Sequence, residues 1–542
     1  MRFISLFNTK TASLLCLLIA LGCRIVNTFF VSFIGKDKMV LMQQSRNLLE
    51  GKGLAITRYF VQHAEIPVYD FTPFWPPGYP VLLAPFLKIF NYDIYWTTTA
   101  VDLIFAVAFI FLVRKIVLEL NFPVVAANII TLIAGCFEYP FIYESSPTDM
   151  PAFVLFLIGL LFLIKVVHNE ELNYTKLILT SVLLFLPCAF RYSYPPLSIA
   201  APIAVIFLGW YLKKKILIKK GLISLVFVSF FIITFLIILK SMTGSAGYVV
   251  ETGRGFFPGN IIHWAPFIFE SFINAPFITI QLKNTAGISP EQSLNLLEVI
   301  NSIMMVCLLC VFLYLFFKKF FFKSNDYFRW FLLFGIFISS AACLSLSFLT
   351  VTNKPQTELG FEWNYQIDSR YFAFINLYLQ IAFIGWVFLY PSWKKNIFQK
   401  TIVCIFSTLL FIEITHNIYF YTKAALNPAK YSLSPTDDPE DPDYDYFIRI
   451  LQSTERNNPG AEIYVVADND EMYPLMANYF RHKGIYEFNL LTSTLPRKKQ
   501  TILILALYDP EMKSYQPFLD AEKTQFLNRI NNVNFYKIYL RP

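Results

Sequence analysis

Long apolar runs alternate with short polar breaks along most of this chain, and the runs are longer than the core helices of a soluble protein. A bilayer span needs about 20 mostly apolar residues. Windows of that kind lie at 11–34, 92–113, 123–143, 150–167, 175–190, 196–212, 221–240, 294–317, 328–350, 371–391 and 401–421. The pattern predicts an all-α polytopic transmembrane bundle of about eleven helices. The first run follows Arg2 and Lys10, carries Arg24 and lacks a small-x-small cleavage site. It therefore reads as an uncleaved anchor rather than a signal peptide.

The polar breaks set the orientation. With the N-terminus in the cytoplasm, alternation puts Arg114-Lys115, Lys165, Lys176, Lys213 to Lys215, Lys219-Lys220, Lys318-Lys319, Lys323, Lys394-Lys395 and Lys400 on the inner side. Each dense Lys cluster then obeys the positive-inside rule. The segments 35–91, 241–293 and 351–370 fall outside, as does everything after 421, so the chain is expected to be N-in and C-out.

The pattern changes at SPTDDPEDPDYDY, residues 434–446, an acidic and Pro-rich stretch that reads as a linker. β-like runs follow at Glu462–Ala467, Thr501–Leu507 and Phe535–Leu540, with helical patterns between them. The expected division is a membrane domain at 1–425, a linker at 426–446 and a small extracytoplasmic α/β domain at 447–542.

Composition agrees. The chain is 56% hydrophobic and 15% charged, against about 45–50% and 25% for a soluble domain. The net charge of +8 does not point to nucleic acid, because the basic residues sit in the short breaks where topology requires them. All eight cysteines lie in or beside apolar runs and the tail has none, so no disulfide framework is expected. Cys307 and Cys310 have CxxC spacing, which on a membrane helix reads as ordinary packing.

The segment 35–91 carries the most specific pattern. It opens with Asp37-Lys38 at the membrane exit. QQSRNLLEGKGL, residues 43–54, reads as a short amphipathic helix with its C-cap at Gly51. FWPPGYPVLLAPFLKIF, residues 74–90, reads as a turn leading into a half-buried interfacial helix. Further motifs are Glu144-Ser-Ser-Pro-Thr-Asp149, Phe190-Arg191-Tyr192 and Asp368-Ser-Arg370-Tyr371, each at the outer end of a predicted span.

In this order of elements the chain resembles the GT-C membrane glycosyltransferases, in particular the protein O-mannosyltransferases and lipid A aminoarabinose transferases with their bacterial relatives. The resemblance covers roughly residues 1–420 in architecture and leaves the tail unexplained. It implies that the acid at the end of the first span, here Asp37, is the catalytic base. That family often has a second acid next to it. Here the position is Lys38, which opposes a divalent cation. No metal ligands are assigned and no cofactor is specified; metal dependence is left open, with Lys38 arguing against a divalent metal.

The compartment supplies the chemistry. Outside the cytoplasmic membrane no nucleotide-sugar is available, so an activated sugar must arrive on a polyprenyl phosphate or pyrophosphate. Asp37 is the candidate general base for the acceptor hydroxyl. Arg191, Arg370 and Lys38 are the candidate donor-phosphate contacts, since guanidinium groups match phosphate geometry. Asp149 and Glu144 are candidates for orienting the sugar, the acceptor or one of those arginines. Attack from the opposite face, which the resemblance implies, would invert the anomeric carbon. Against these stand plainer readings: a helix-end charge for Asp37, snorkelling for the arginines, and a helix N-cap for Asp149.

Other features stay open. Arg24 and Asp102 sit inside spans, where a charge needs a partner, and structural pairing is expected. His263, Glu358, Glu362 and Asp368 are not distinguished from one another. The aromatics Trp75, Tyr79, Trp264 and Trp363 fit either an interfacial belt or sugar stacking, and the belt is the plainer reading. The sequon at Asn173 falls in an inner loop and is expected to be silent.

The expected function is transfer of a sugar from a lipid carrier to an acceptor (protein, lipid A or glycan), in a bacterial inner membrane with the site on the outer side. The alternative is a flippase or transporter for a polyprenyl-linked or amphipathic substrate. It would need deep charges and internal symmetry, and the sequence offers little of either. A binding or assembly protein would leave Asp37 and the PPGYP segment without a role.

Overall fold

The structure is a computed structural model. It describes residues 9–30, 36–58, 68–71, 76–136, 148–169, 171–243, 327–352, 373–389 and 397–426, with short C-terminal segments that include the strands. In chain order the elements are α1 Lys10–Phe30, α2 Lys36–Leu49, β1 Ile56–Arg58, β2 Val68–Asp70, α3 Gly78–Ile89, α4 Ile94–Glu119, α5 Val124–Cys136 and α6 Asp149–His168. There follow α7 Tyr174–Phe185, α8 Pro195–Tyr211, α9 Lys215–Thr243, α10 Tyr327–Thr352, α11 Ala373–Leu389 and α12 Ile397–Leu426. The chain ends in β3 Glu462–Ala467, β4 Lys483–Ile485, β5 Thr501–Tyr508, β6 Lys523–Ile530 and β7 Val533–Leu540.

Apolar runs become helices because a backbone surrounded by hydrocarbon must satisfy its own hydrogen bonds. The run at 294–317, most of the segments 241–293 and 351–370, and residues 427–449, which hold nearly all of the expected linker, lie outside the described residues. By length and composition, four described helices can cross a membrane: α1, α6, α9 and α12. Shorter apolar helices, α3, α5, α8 and α11 among them, complete the bundle.

Local signals set the helix ends. Asp93 caps α4 by accepting from Trp96 N at 2.9 Å, and Asn173 caps α7 by accepting from Lys176 N at 3.0 Å. Pro195 opens α8, where its fixed φ suits the first turn. Helix α6 is complemented at both ends: Asp149 lies in its first turn, and Lys220 of α9 reaches its last carbonyls. The Lys220 ammonium is buried, donating to Val166 O at 2.9 Å and to Asn169 O. A cation there answers the negative end of the helix dipole. Lys220→Met leaves those carbonyls unmet, and is expected to cost about 1–3 kcal/mol. Thermal unfolding in detergent reads the loss, and an unchanged Tm contradicts it.

The described residues that follow α2 fold back on it. The helix ends in a Schellman motif: Gly51 adopts φ 76°, Lys52 N donates to Asn47 O at 2.8 Å, and Gly51 N donates to Leu48 O at 3.2 Å. Strands β1 and β2 pair antiparallel. Asn47 Nδ2 donates to Ala55 O at 2.6 Å and Thr57 Oγ1 at 2.8 Å, and Gln43 Nε2 donates to Thr57 O at 3.2 Å, so the hairpin is fastened to α2.

At the C-cap, Arg46 Nε donates to Glu50 Oε1 at 2.8 Å and Lys52 Nζ to Glu50 Oε2 at 2.5 Å. Partial burial pushes the Glu50 carboxyl up, but the Lys52 and Arg46 contacts outweigh it and hold it below its ordinary value. With a folded value below the unfolded one, the stabilisation is complete above the ordinary carboxylate range. It fades as pH falls through the lower folded value. The pairs are largely exposed, so the effect is expected to be about 0.5 kcal/mol or less. Glu50→Gln should abolish that small acid dependence in a Tm-against-pH series.

The C-terminal strands form one sheet in the order β4-β3-β5-β7-β6. Strand β3 is parallel to β4 and β5, while β7 runs antiparallel to β5 and β6. Ile463, Ile502, Ile504, Phe535 and Ile538 are buried. Parallel neighbours require crossover connections, and those of β3 lie largely outside the described residues.

Candidate active site

Two buried ion pairs anchor the start of α2 and the beginning of α6. Lys38 lies in the first turn of α2, and its Nζ is 2.7 Å from Asp102 Oδ2 on α4, with both side chains under 5% exposed. Tyr79, in the first turn of α3, donates its hydroxyl to Asp102 Oδ1 at 3.4 Å and is fully buried. Asp102 therefore holds groups from two other elements. A charge inside the membrane needs such a partner.

The second pair joins Arg191 to Asp149. Arg191 Nη2 donates to Asp149 Oδ2 at 2.9 Å, and Nε lies against Oδ1 in the same ion pair. The contact spans 42 residues of sequence, from the turn after α7 to the start of α6. Asp149 is the first residue of α6, and the N-cap position belongs to Thr148, whose side chain makes no capping bond. The N-cap reading of Asp149 is thus replaced by an ion pair at a helix N-terminus, where negative charge is favoured.

Gly78 connects the two pairs. A Cβ at this position would stand 2.5 Å from Ala189 O and 2.9 Å from Phe190 Cδ2. The Pro76-Pro77-Gly78-Tyr79 turn therefore packs directly on the turn that presents Arg191. Backbone atoms cannot move aside as a side chain can, so Gly78→Ala is expected to cost about 1–3 kcal/mol as an overpacking change. An unchanged melting temperature would contradict that close approach.

The sequence-derived candidates thus fall into two groups. Lys38, Asp149 and Arg191 are described and engaged. Lys38, a candidate for surface charge or for a donor-phosphate contact, is buried against Asp102. The α2 backbone carries Asp37 one residue before Lys38, but the Asp37 side chain lies outside the described residues. Glu144, Arg370, Trp75, His263, Glu358, Glu362 and Asp368 lie outside them as well.

Sequence reading missed the role of two residues here. Tyr79 was assigned to an interfacial belt, but it is fully buried on a carboxylate. A Tyr next to Pro-Pro-Gly cannot be placed by composition alone. Tyr194, buried three residues after Arg191, stacks edge-on against Phe156 with centroids 5.7 Å apart. It braces the Arg191 turn on α6. Among the described residues, no group of three or more His, Cys, Asp or Glu is placed to hold a metal.

No protein-family model matches this chain, and no curated protein does either. Solved structures do match. ArnT from Cupriavidus metallidurans, bound to undecaprenyl phosphate, superposes with a TM-score of 0.52 at 11% identity, covering 99% of this chain and 98% of that one. The Archaeoglobus fulgidus oligosaccharyltransferase in its apo form gives a TM-score of 0.50 at 14% identity, over 89% of this chain and 65% of that one. Both are membrane glycosyltransferases of the GT-C fold, and at these identities the likeness concerns the fold: this chain has the GT-C fold.

Proposed function

We propose that this protein is a membrane glycosyltransferase that moves a sugar from a polyprenyl-phosphate carrier to an extracytoplasmic acceptor. The observation that carries the reading is the convergence of motif segments far apart in sequence. Lys38 beside Asp37, the Pro-Pro-Gly-Tyr turn, Arg191 and Asp149 come together through two buried ion pairs and one backbone contact. Buried charges at helix ends are costly, and they concentrate where a membrane protein works.

In the proposed reaction Asp37 accepts the proton of the acceptor hydroxyl, and the freed oxygen attacks the anomeric carbon. The bond from that carbon to the phosphate oxygen breaks as the new bond forms, and the configuration inverts. The phosphate leaves with an added negative charge, which Arg191 and Arg370 stabilise. A guanidinium carries five donors in a planar fork, more than one carboxylate accepts, so pairing with Asp149 aims Arg191 rather than consuming it. Asp149 is the orienting group for Arg191, and Glu144 is assigned to the sugar or acceptor. The reading includes about eleven spans, an inside N-terminus, a bacterial inner-membrane location, and an outer position for the site and the C-terminal sheet.

ArnT was crystallised with undecaprenyl phosphate, which names the ligand to try. Binding of radiolabelled undecaprenyl phosphate in detergent, compared with undecaprenol, tests the donor assignment. The phosphate is expected to raise affinity at least about tenfold, the equivalent of 1.4 kcal/mol. Equal affinity for the two lipids would contradict a phosphate-binding site.

A further inference from the structure

We propose that Asp102 and Tyr79 are positioning residues that clamp the first turn of α2, and with it the backbone that carries Asp37; this rests on the glycosyl-transfer reading above. Asp102 lies on α4, 64 residues from Lys38. Its two oxygens receive donors from separate elements: the Lys38 ammonium of α2 at 2.7 Å and the Tyr79 hydroxyl of α3 at 3.4 Å. Lys38 and Tyr79 are both within 1% of complete burial. Beyond its first turn α2 packs on α3 through buried Leu41 and Met42, and the neighbouring hairpin grips it by hydrogen bonds from Gln43 onward; the Lys38–Asp102 pair adds a tie at the first turn itself.

A buried ion pair is weak evidence for stability, because desolvation opposes its attraction, and its best-attested use is to fix a register. The register fixed here is that of the residue after Asp37. The pair is tied to α4, a 26-residue helix whose N-terminus is capped by Asp93. A general base must stand within hydrogen-bond reach of its proton, and a displacement of about 1 Å costs on the order of 100-fold in rate. The clamp therefore acts on turnover rather than on donor affinity.

The test uses the full-length protein in liposomes, with polyprenyl-phosphate sugars and an acceptor extract, alongside amide hydrogen exchange of residues 36–49. Asp102→Asn is expected to lower kcat by about 10- to 100-fold with donor KM within about twofold, and to speed exchange in the first turn of α2. The charge-exchanged pair Lys38→Asp with Asp102→Lys should restore slow exchange. Tyr79→Phe keeps the ring and the ion pair, and should lower kcat about threefold; it serves where Asp102→Asn fails to fold. Unchanged exchange in the first turn, or a loss confined to KM, overturns the clamp. With no transfer by the wild type, it is the glycosyl-transfer reading that falls. The exchange arm then decides the clamp alone, and unchanged protection in Asp102→Asn overturns it.

Discussion

Asp37→Asn is expected to lower sugar transfer by about 100- to 10,000-fold, the range over which a positioned general base contributes. The amide has nearly the shape of the carboxylate but cannot take up the acceptor proton. The loss should fall on kcat, because in the proposed reaction the donor is held by its lipid tail and phosphate rather than by the base. The position of Asp37 supports the expectation. It is the second residue of α2, next to a lysine locked on α4. Folding should survive, since the Lys38–Asp102 and Arg191–Asp149 pairs remain. Protein abundance and Tm within about 0.5 kcal/mol of wild type, as for an ordinary surface change, are the control. Full activity in Asp37→Asn would assign the base elsewhere.

Arg191→Met is the second large effect, and it is one of stability as well as activity. Asp149 is 6% exposed, so removing its partner leaves a carboxylate stranded at the start of α6. Breaking a buried pair on one side costs about 3–5 kcal/mol, while replacing both partners by apolar groups is often neutral. The double variant Arg191→Met with Asp149→Leu is therefore expected to recover most of the lost Tm and none of the transfer activity. That split separates the pair's structural contribution from its proposed work on the leaving phosphate. Recovery of both together would make the pair structural. Additive losses would mean the two residues are not coupled, against the 2.9 Å contact between them.

How far the sequence could be read depended on the range of each interaction. Helix ends were legible because their determinants are local: Gly51 closes α2 through contacts within five residues. The strands β3, β5 and β7 fall on alternating or apolar runs for the same reason. The order of the sheet was not legible, because β3 lies between β4 and β5 through crossovers that leave no local trace. The site behaved likewise. Asp102 announced itself as an acid inside a span, which demands a partner, but hydropathy could not select Lys38 from 64 residues away. Lys38 read as either surface charge or a phosphate contact, since a lysine at a helix exit ordinarily faces water and headgroups. Asp149 and Arg191 were singled out separately, and their pairing with each other became visible only in three dimensions. Gly78 looked like a turn glycine, yet its use is to let two turns touch.

The most direct test of the central claim is transfer itself. Purified protein is reconstituted in liposomes with a panel of radiolabelled polyprenyl-phosphate sugars and an acceptor extract. The account predicts that label moves from the lipid to the acceptor with at least one donor, and that Asp37→Asn stops it. Label that crosses the bilayer unchanged in both proteins, with none transferred, would contradict it and make the chain a lipid-linked-sugar flippase built on a transferase fold.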